Sequence, residues 1–517
     1  MAQSYNGFFI LSSKKGSIRV PTVILTILFI SFRLGTSEVN SAAFPIIGLL
    51  LIVLLLYSNP VWGFVLTLYD MCLLAEQVGV QSWQFYDLFR FKDLEFLVLL
   101  AAGIQMGALS FKGKYSAKLT KPILFYLMLI GAMTIFSGIS YGFADALRVS
   151  RMLFFVSLIF VLPGFCKDLD DLKRLLKYVY IFVSISTLIN FAGFVIGEPE
   201  IMTPFNHNLD EAGRVWIGSG GVERIYSGIG YAGYAAPFSY LTIFCLVAIM
   251  IMGRLKQFSW IVILGLAVIL EVLTVSRSAI SGLIVGLGTI ILLGRRRWSR
   301  KDLHLGIALC SWVLALLIVS VTLFKDSSVL SIYSVRFADL LADVRGVGEG
   351  SVVSRFNYFQ TAINVMDDSG GNVLTGMGYR LLPTELGVLF RIGPFSLSQF
   401  QESGQLIGTT SMDSGWANVF WSLGVTGVIF FVWFIAYYLR LSFSMFRPTS
   451  DVVARSLSLS LFAFFVVYPL LFFAMHMIYG KSVQLIIQFV LLVGTLGLWL
   501  DYSVGKAGQR TTGAIGL

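Results

Sequence analysis

The sequence predicts an all-α fold, a polytopic integral membrane protein of about 14 transmembrane helices (12–14). Three observations carry that expectation. Of 517 residues, 57% are hydrophobic and 13% charged, where a soluble domain carries roughly a quarter charged residues. Mean hydropathy is +0.82, more apolar sequence than a globular core buries. The apolar residues also fall in repeated blocks near the ~20 residues that cross a bilayer.

Taken in order, the apolar segments are 20–36, 43–57, 60–80, 94–110, 122–141, 146–165, 176–196, 229–252, 258–275, 279–294, 303–324, 414–439, 456–478 and 482–502. Basic residues favour cytoplasmic connections. With the N-terminus inside, 23 of the 38 Lys and Arg residues fall on inner segments, among them Lys112 to Lys121 and Arg295 to Lys301. The expectation is an N-in, C-in multi-pass protein. The net charge of +10 then reports topology, with anionic membrane lipids as its partner and no nucleic acid.

The chain divides into N-terminal helices (1–196), a central region with the first outer loop (197–324), a long outer loop (325–412), C-terminal helices (413–502) and a disordered cytoplasmic tail (503–517). The 88-residue long loop matters because structureless loops beyond ~15 residues are uncommon and often functional. The four cysteines show no CxxC spacing and only three histidines are present, so neither a disulfide framework nor a histidine metal site is expected.

Several motifs bear on chemistry. Ser276-Arg277-Ser278 joins two apolar segments tightly, where an arginine either snorkels to headgroups or projects into the mouth of the bundle. Glu271, ~9 Å earlier along a helix, is an intramembrane carboxylate and a functional candidate on that ground. Gly228, Gly230 and Gly233 spell GxGxxG, but no βαβ context surrounds them and the dinucleotide reading is rejected. Arg224 lies beside them with Tyr226, Tyr231 and Tyr234, flat faces for a sugar or ordinary interfacial anchors. Asp168-Leu169-Asp170 has the DxD spacing of nucleotide-sugar transferases, yet it sits in a short basic connector and reads as a solvated turn.

Within the long loop, Val352, Phe356, Phe359, Ile363 and Met366 recur at helical spacing from an N-cap at Ser351. This predicts an amphipathic helix on the membrane face. Arg355 near its start opposes the helix dipole, so its placement does not serve helix stability. Leu374-Thr-Gly-Met-Gly-Tyr-Arg380 follows, and the next span opens with Met412-Asp413-Ser-Gly-Trp416.

In order and topology, these pieces resemble the O-antigen polymerase/ligase superfamily of bacterial envelope polysaccharide assembly. The resemblance spans roughly residues 218–438. It rests on Arg224 before a Gly-rich span, the Ser276-Arg277 turn, the arginine-headed loop helix with its GxG, and the polar start of the next span with Leu423-Gly-Val-Thr-Gly427. It implies a metal-independent integral-membrane glycosyltransferase bundle without cofactors, in the bacterial inner membrane with its active site facing the periplasm or exterior. Its substrates would be polyprenyl-diphosphate-linked oligosaccharide donor and acceptor, with room for a chain-length regulator as partner. Carried over residue by residue, Arg224, Arg277 and Arg355 would bind the diphosphate. Asp413 would be catalytic with Arg224 and Arg355, and Tyr226, Tyr231, Tyr234 and Trp416 would face the sugar. Ligases of the family carry a histidine at the end of the long loop. Here that position reads Asp413-Ser414, and His207, His304 and His476 lie elsewhere, which favours repeat-unit polymerisation over ligation. Flippase-type transport is the other reading, with Asp70 and Glu76 as its intramembrane charges.

Overall fold

A computed structural model describes residues 20–35, 43–71, 84–85, 89–107, 113–196, 277–295, 372–379, 415–446, 451–474 and 483–512, with part of 262–268 and of 359–366. The described chain is almost entirely helical. Its helices are α1 (Val20–Gly35), α2 (Ala43–Ser58), α3 (Pro60–Tyr69), α4 (Phe91–Gln105), α5 (Lys114–Tyr141), α6 (Phe143–Ser150), a 3₁₀ helix (Arg151–Phe160), α7 (Leu162–Phe165), α8 (Leu169–Ile196), α9 (Arg277–Arg295), α10 (Gly415–Phe446), α11 (Val452–Ala474) and α12 (Val483–Thr512). A two-residue antiparallel ladder, β1 (Gln84–Phe85) with β2 (Phe89–Arg90), precedes α4. Among the described residues, α5, α10, α11 and α12 are long and apolar enough to cross a membrane.

Helix starts follow local chemistry. Asn59 caps α3, its side-chain oxygen accepting the Trp62 N–H at 3.1 Å, with Pro60 in the first turn where a missing N–H costs nothing. The Asp168 carboxylate accepts the N–H groups of Asp170 (2.9 Å) and Asp171 (2.8 Å), while Asp171 accepts that of Lys167 (3.1 Å). Asp170 and Asp171 pair with Lys173 and Arg174 one turn on. The two DxD carboxylates are therefore a helix cap, Asp168, and one partner of a helix-surface ion pair, Asp170. That cap starts α8 at Leu169, seven residues before the expected apolar boundary.

The start of α5 is capped from a distance. Asp501 of α12 accepts the backbone N–H groups of Tyr115 (2.9 Å) and Ser116 (3.0 Å), and the Ser116 hydroxyl as well. A carboxylate there satisfies orphan donors and complements the helix dipole. Nearby, the Tyr502 hydroxyl donates to the Cys166 carbonyl at 2.7 Å.

Packing places α10 along α11, α9 along α11, and α12 against α5 and the 3₁₀ helix. Aromatic rings fill the centre. Tyr438 lies parallel to Phe465 at 4.8 Å and edge-on to Phe489 at 5.4 Å, and its hydroxyl donates to the Leu119 carbonyl at 2.6 Å. On α11 the buried Ser456, Ser458 and Ser460 hydroxyls each donate to the carbonyl four residues back. Such internal satisfaction lets small polar residues face neighbouring helices in an apolar bundle.

Three expectations need correction. The 146–165 segment is not one α-helix but α6, ten residues of 3₁₀ helix and a short α7. The 60–80 span gives α3 only to Tyr69, followed by a π turn at 70–71, with 72–83 outside the described residues. The tail expected to be disordered from Ser503 continues α12 to Thr512. Extending an existing helix costs little because each added residue brings a hydrogen bond without a new nucleus.

Candidate functional site

The site is built around a break in α10. Gly424 adopts φ 62° and ψ −158° inside the helix, a backbone region that residues with a Cβ rarely occupy. The break removes two helical hydrogen bonds. It orphans the carbonyls of Trp421 and Ser422 and the N–H groups of Val425 and Thr426. Within an apolar bundle each unsatisfied group costs several kcal/mol.

The loop at 372–379 takes up all four. Met377 N–H donates to the Trp421 carbonyl (2.7 Å) and Gly378 N–H to that of Ser422 (3.0 Å). In return Val425 N–H donates to the Val373 carbonyl (3.0 Å) and Thr426 N–H to that of Leu374 (3.1 Å). The Thr426 hydroxyl adds a bond to the same Leu374 oxygen at 2.8 Å. The loop is shaped by Asn372, whose side-chain oxygen accepts Leu374 N–H and whose carbonyl accepts those of Thr375 and Gly376. Gly376 and Gly378 stand at φ 73° and 76°. Thus the GxG of the long loop and the Leu423–Gly427 stretch of the span form one backbone clip.

Tyr379 ends the clip. Its N–H donates to the Ser137 hydroxyl oxygen at 2.6 Å, and the Ser137 hydroxyl donates in turn to the Met133 carbonyl. The residue is buried and lines a small cavity together with Tyr126, Ile130, Leu153, Val419, Leu423 and Phe431. A second apolar cluster lies beside the clip. Ala362 and Met366 of the loop helix are fully buried with Met377, Ala417 and Trp421, and Phe359 meets Phe420 at 5.7 Å. The described part of this segment, within 359–366, therefore packs apolar residues on α10 and the clip, where the broken helix offers a protein surface.

Two residues before Leu153, Arg151 makes an ion pair with Asp93 at 3.2 Å, their side chains 11% and 6% exposed. Lys92, Glu95 and Asp70 are also buried. Charges sealed in an apolar bundle are costly and mark function or tight structural pairing. Of these residues the sequence reading singles out Asp70 alone, although Arg151 inside an apolar segment is such a signal. Ser137 and Tyr379 carry no sequence signal of their role.

Of the residues expected in the site, Arg224, Arg355, Asp413, Tyr226, Tyr231 and Tyr234 lie outside the described residues, as do Glu76 and Glu271. Arg277 is the first residue of α9, a position where its charge opposes the helix dipole; its side chain is outside the described set. Trp416 is described, and its indole N–H donates to the Pro469 carbonyl at 3.2 Å, tying α10 to α11. Among the described residues no group of three or more His, Cys, Asp or Glu side chains could hold a metal ion.

Comparison with protein-family models gives no match, and none of the curated proteins matches the chain.

Proposed function

We propose that this protein polymerises polyprenyl-diphosphate-linked oligosaccharide repeat units on the outer face of a bacterial inner membrane. The observation that carries the reading is the docking of the long loop onto the first turns of α10. Phe359 touches Phe420, and Arg355 is four residues before Phe359, within ~14 Å along even an extended chain. Asp413 is two residues before Gly415, within ~7 Å. Those chain distances support a reading in which Arg355 and Asp413 act together near the clip.

The chemistry follows from those residue types. Outside the cell no nucleoside triphosphate is at hand, so glycosyl transfer draws on a bond already made. The acceptor hydroxyl attacks the donor's anomeric carbon with inversion while the carbon–oxygen bond to diphosphate breaks. Polyprenyl diphosphate leaves, and Asp413 takes the hydroxyl proton as general base. Arg224, Arg277 and Arg355 hold the diphosphate through paired hydrogen bonds as its charge grows. Ligation of glycan to a lipid or protein acceptor would use the same groups.

A transport reading draws on one observation, the buried Asp70, Lys92, Asp93, Glu95 and Arg151, since a flippase carries charges at depth. Polymer ladders separate the readings. In cells making Arg224→Lys, Arg355→Lys or Asp413→Asn at matched protein levels, polymerisation requires each ladder to collapse to single repeat units on the outer face. A drop of about 10²–10³ in rate is expected for a lost charge donor. Wild-type ladders in all three would sink the mechanism. Units retained on the inner face would favour transport.

A further inference from the structure

The ten residues Arg151–Phe160 form an unbroken 3₁₀ helix, where runs beyond 3–4 residues are uncommon. Their burial has a strict period of three. Arg151, Phe154, Ser157, Phe160 and then Pro163 are half-buried, and every residue between them is buried. That stripe fits the 3₁₀ winding, in which residues three apart eclipse. Wound as an α-helix the same positions would fall back ~60° every three residues. Arg151 and Phe160 would then lie about half a turn apart.

The two ends of the segment are held differently. At its foot, Val161 N–H and Gly164 N–H continue the three-residue bonds at 3.2 and 3.0 Å. There a Cβ on Gly494 would stand 2.5 Å from Leu162, and one on Gly103 would collide with Val161, so the foot is seated tightly on α12 and α4. At its head the tie is electrostatic, through the Arg151–Asp93 pair at 3.2 Å. Only the 3₁₀ winding puts Arg151 on the Asp93 side while the foot stays in place.

We propose that residues 151–160 are a winding switch. They are 3₁₀ while Arg151 is paired with Asp93 and α-helical when that pair opens. The change shortens the segment by about 5 Å, from ~2.0 to ~1.5 Å per residue, and swings Arg151 away by about half a turn. Leu153 turns with it. Because Leu153 and Tyr379 line the same cavity, the switch connects the Arg151–Asp93 pair to the clip on α10. This holds whatever reaction the protein performs.

The test uses full-length protein in lipid nanodiscs, with the four native cysteines replaced by alanine. Spin labels placed singly at 154–161 report oxygen accessibility, and a labelled pair at Phe143→Cys and Lys167→Cys reports length. Wild-type winding gives maxima at 154, 157 and 160. With the foot fixed, Asp93→Asn keeps the maximum at 160, moves the next one to 156, removes the one at 154 and shortens the labelled pair by about 5 Å. The charge exchange Asp93→Arg with Arg151→Asp restores both. A 3.6-residue period in the wild type, or an Asp93→Asn protein with unchanged maxima and distance, overturns the proposal. If Asp93→Asn does not fold, Arg151→Gln carries the same comparison. Failure of both to fold also overturns it, by making the pair a plain structural strut.

Discussion

Gly376 and Gly424 meet backbone to backbone. A Cβ on Gly376 would stand 2.5 Å from the Gly424 nitrogen, and one on Gly424 would stand 2.5 Å from the Leu374 carbonyl. No side chain can yield there, since the neighbour in each case is main chain.

Gly376→Ala and Gly424→Ala should each therefore destabilise the protein, by at least the ~1–3 kcal/mol of a forced backbone conformation. The two losses should be non-additive, because either substitution opens the same clip. Thermal unfolding in detergent reads both. Gly131→Ala on α5 is the control. It has open space and helical geometry, so it should be neutral or raise stability by up to ~1 kcal/mol. Equal effects at all three positions would deny the clip.

Ser137→Ala removes the acceptor for the buried Tyr379 N–H. An orphaned buried donor costs ~1–3 kcal/mol, so the expected outcome is a lower melting temperature and faster hydrogen exchange around Tyr379. Exchange unchanged from wild type would mean that the loop holds its place without this bond.

Cys166 lies in the connector before α8, and burial pushes its thiol well above the usual range, with Asp171 adding to the rise. The raised value means that the folded state holds the proton more tightly than the unfolded state. Its contribution is full below the unfolded value near ~8.5 and is lost as pH climbs toward the folded one. Cys166→Ala should therefore flatten the alkaline fall in stability, measured by thermal unfolding between pH 7 and 10. The wild-type thiol should resist alkylation at pH 8 until the protein is denatured.

The orientation expected from the basic residues is checked by Ser369→Cys and Ser299→Cys. In intact cells an impermeant thiol reagent should label the first and spare the second. The opposite result would invert the topology and remove the outer-face chemistry.

Apolar runs placed α1, α2, α4, α9 and α11 within about five residues, because apolar length is a local signal. They missed the polar first turns of α5 and α8, which begin eight and seven residues before the apolar run because Asp501 and Asp168 cap them. The partnership of residues 373–378 with 421–426 was not legible. Gly376 and Gly424 each read as a turn or flexible point, and nothing local says that one closes the other's break. Nor did the apolar run around Arg151 announce its winding, since a period of three and one of 3.6 differ by only ~60° per three residues. The loop helix was legible in its stripe, through Phe359, Ile363 and Met366, but not in its destination. A stripe says that a face will be covered, not whether protein or lipid covers it.

The cap on α5 has a consequence for how the chain is made. Tyr115 and Asp501 are 386 positions apart, so the first turn of α5 leaves the ribosome long before its carboxylate exists. At 5–20 residues per second the wait is roughly 20–80 s. Throughout that interval the N–H groups of Tyr115 and Ser116 depend on water or headgroups, and only the arrival of α12 releases them. The start of α5 thus reaches its final form only after α12 has been made.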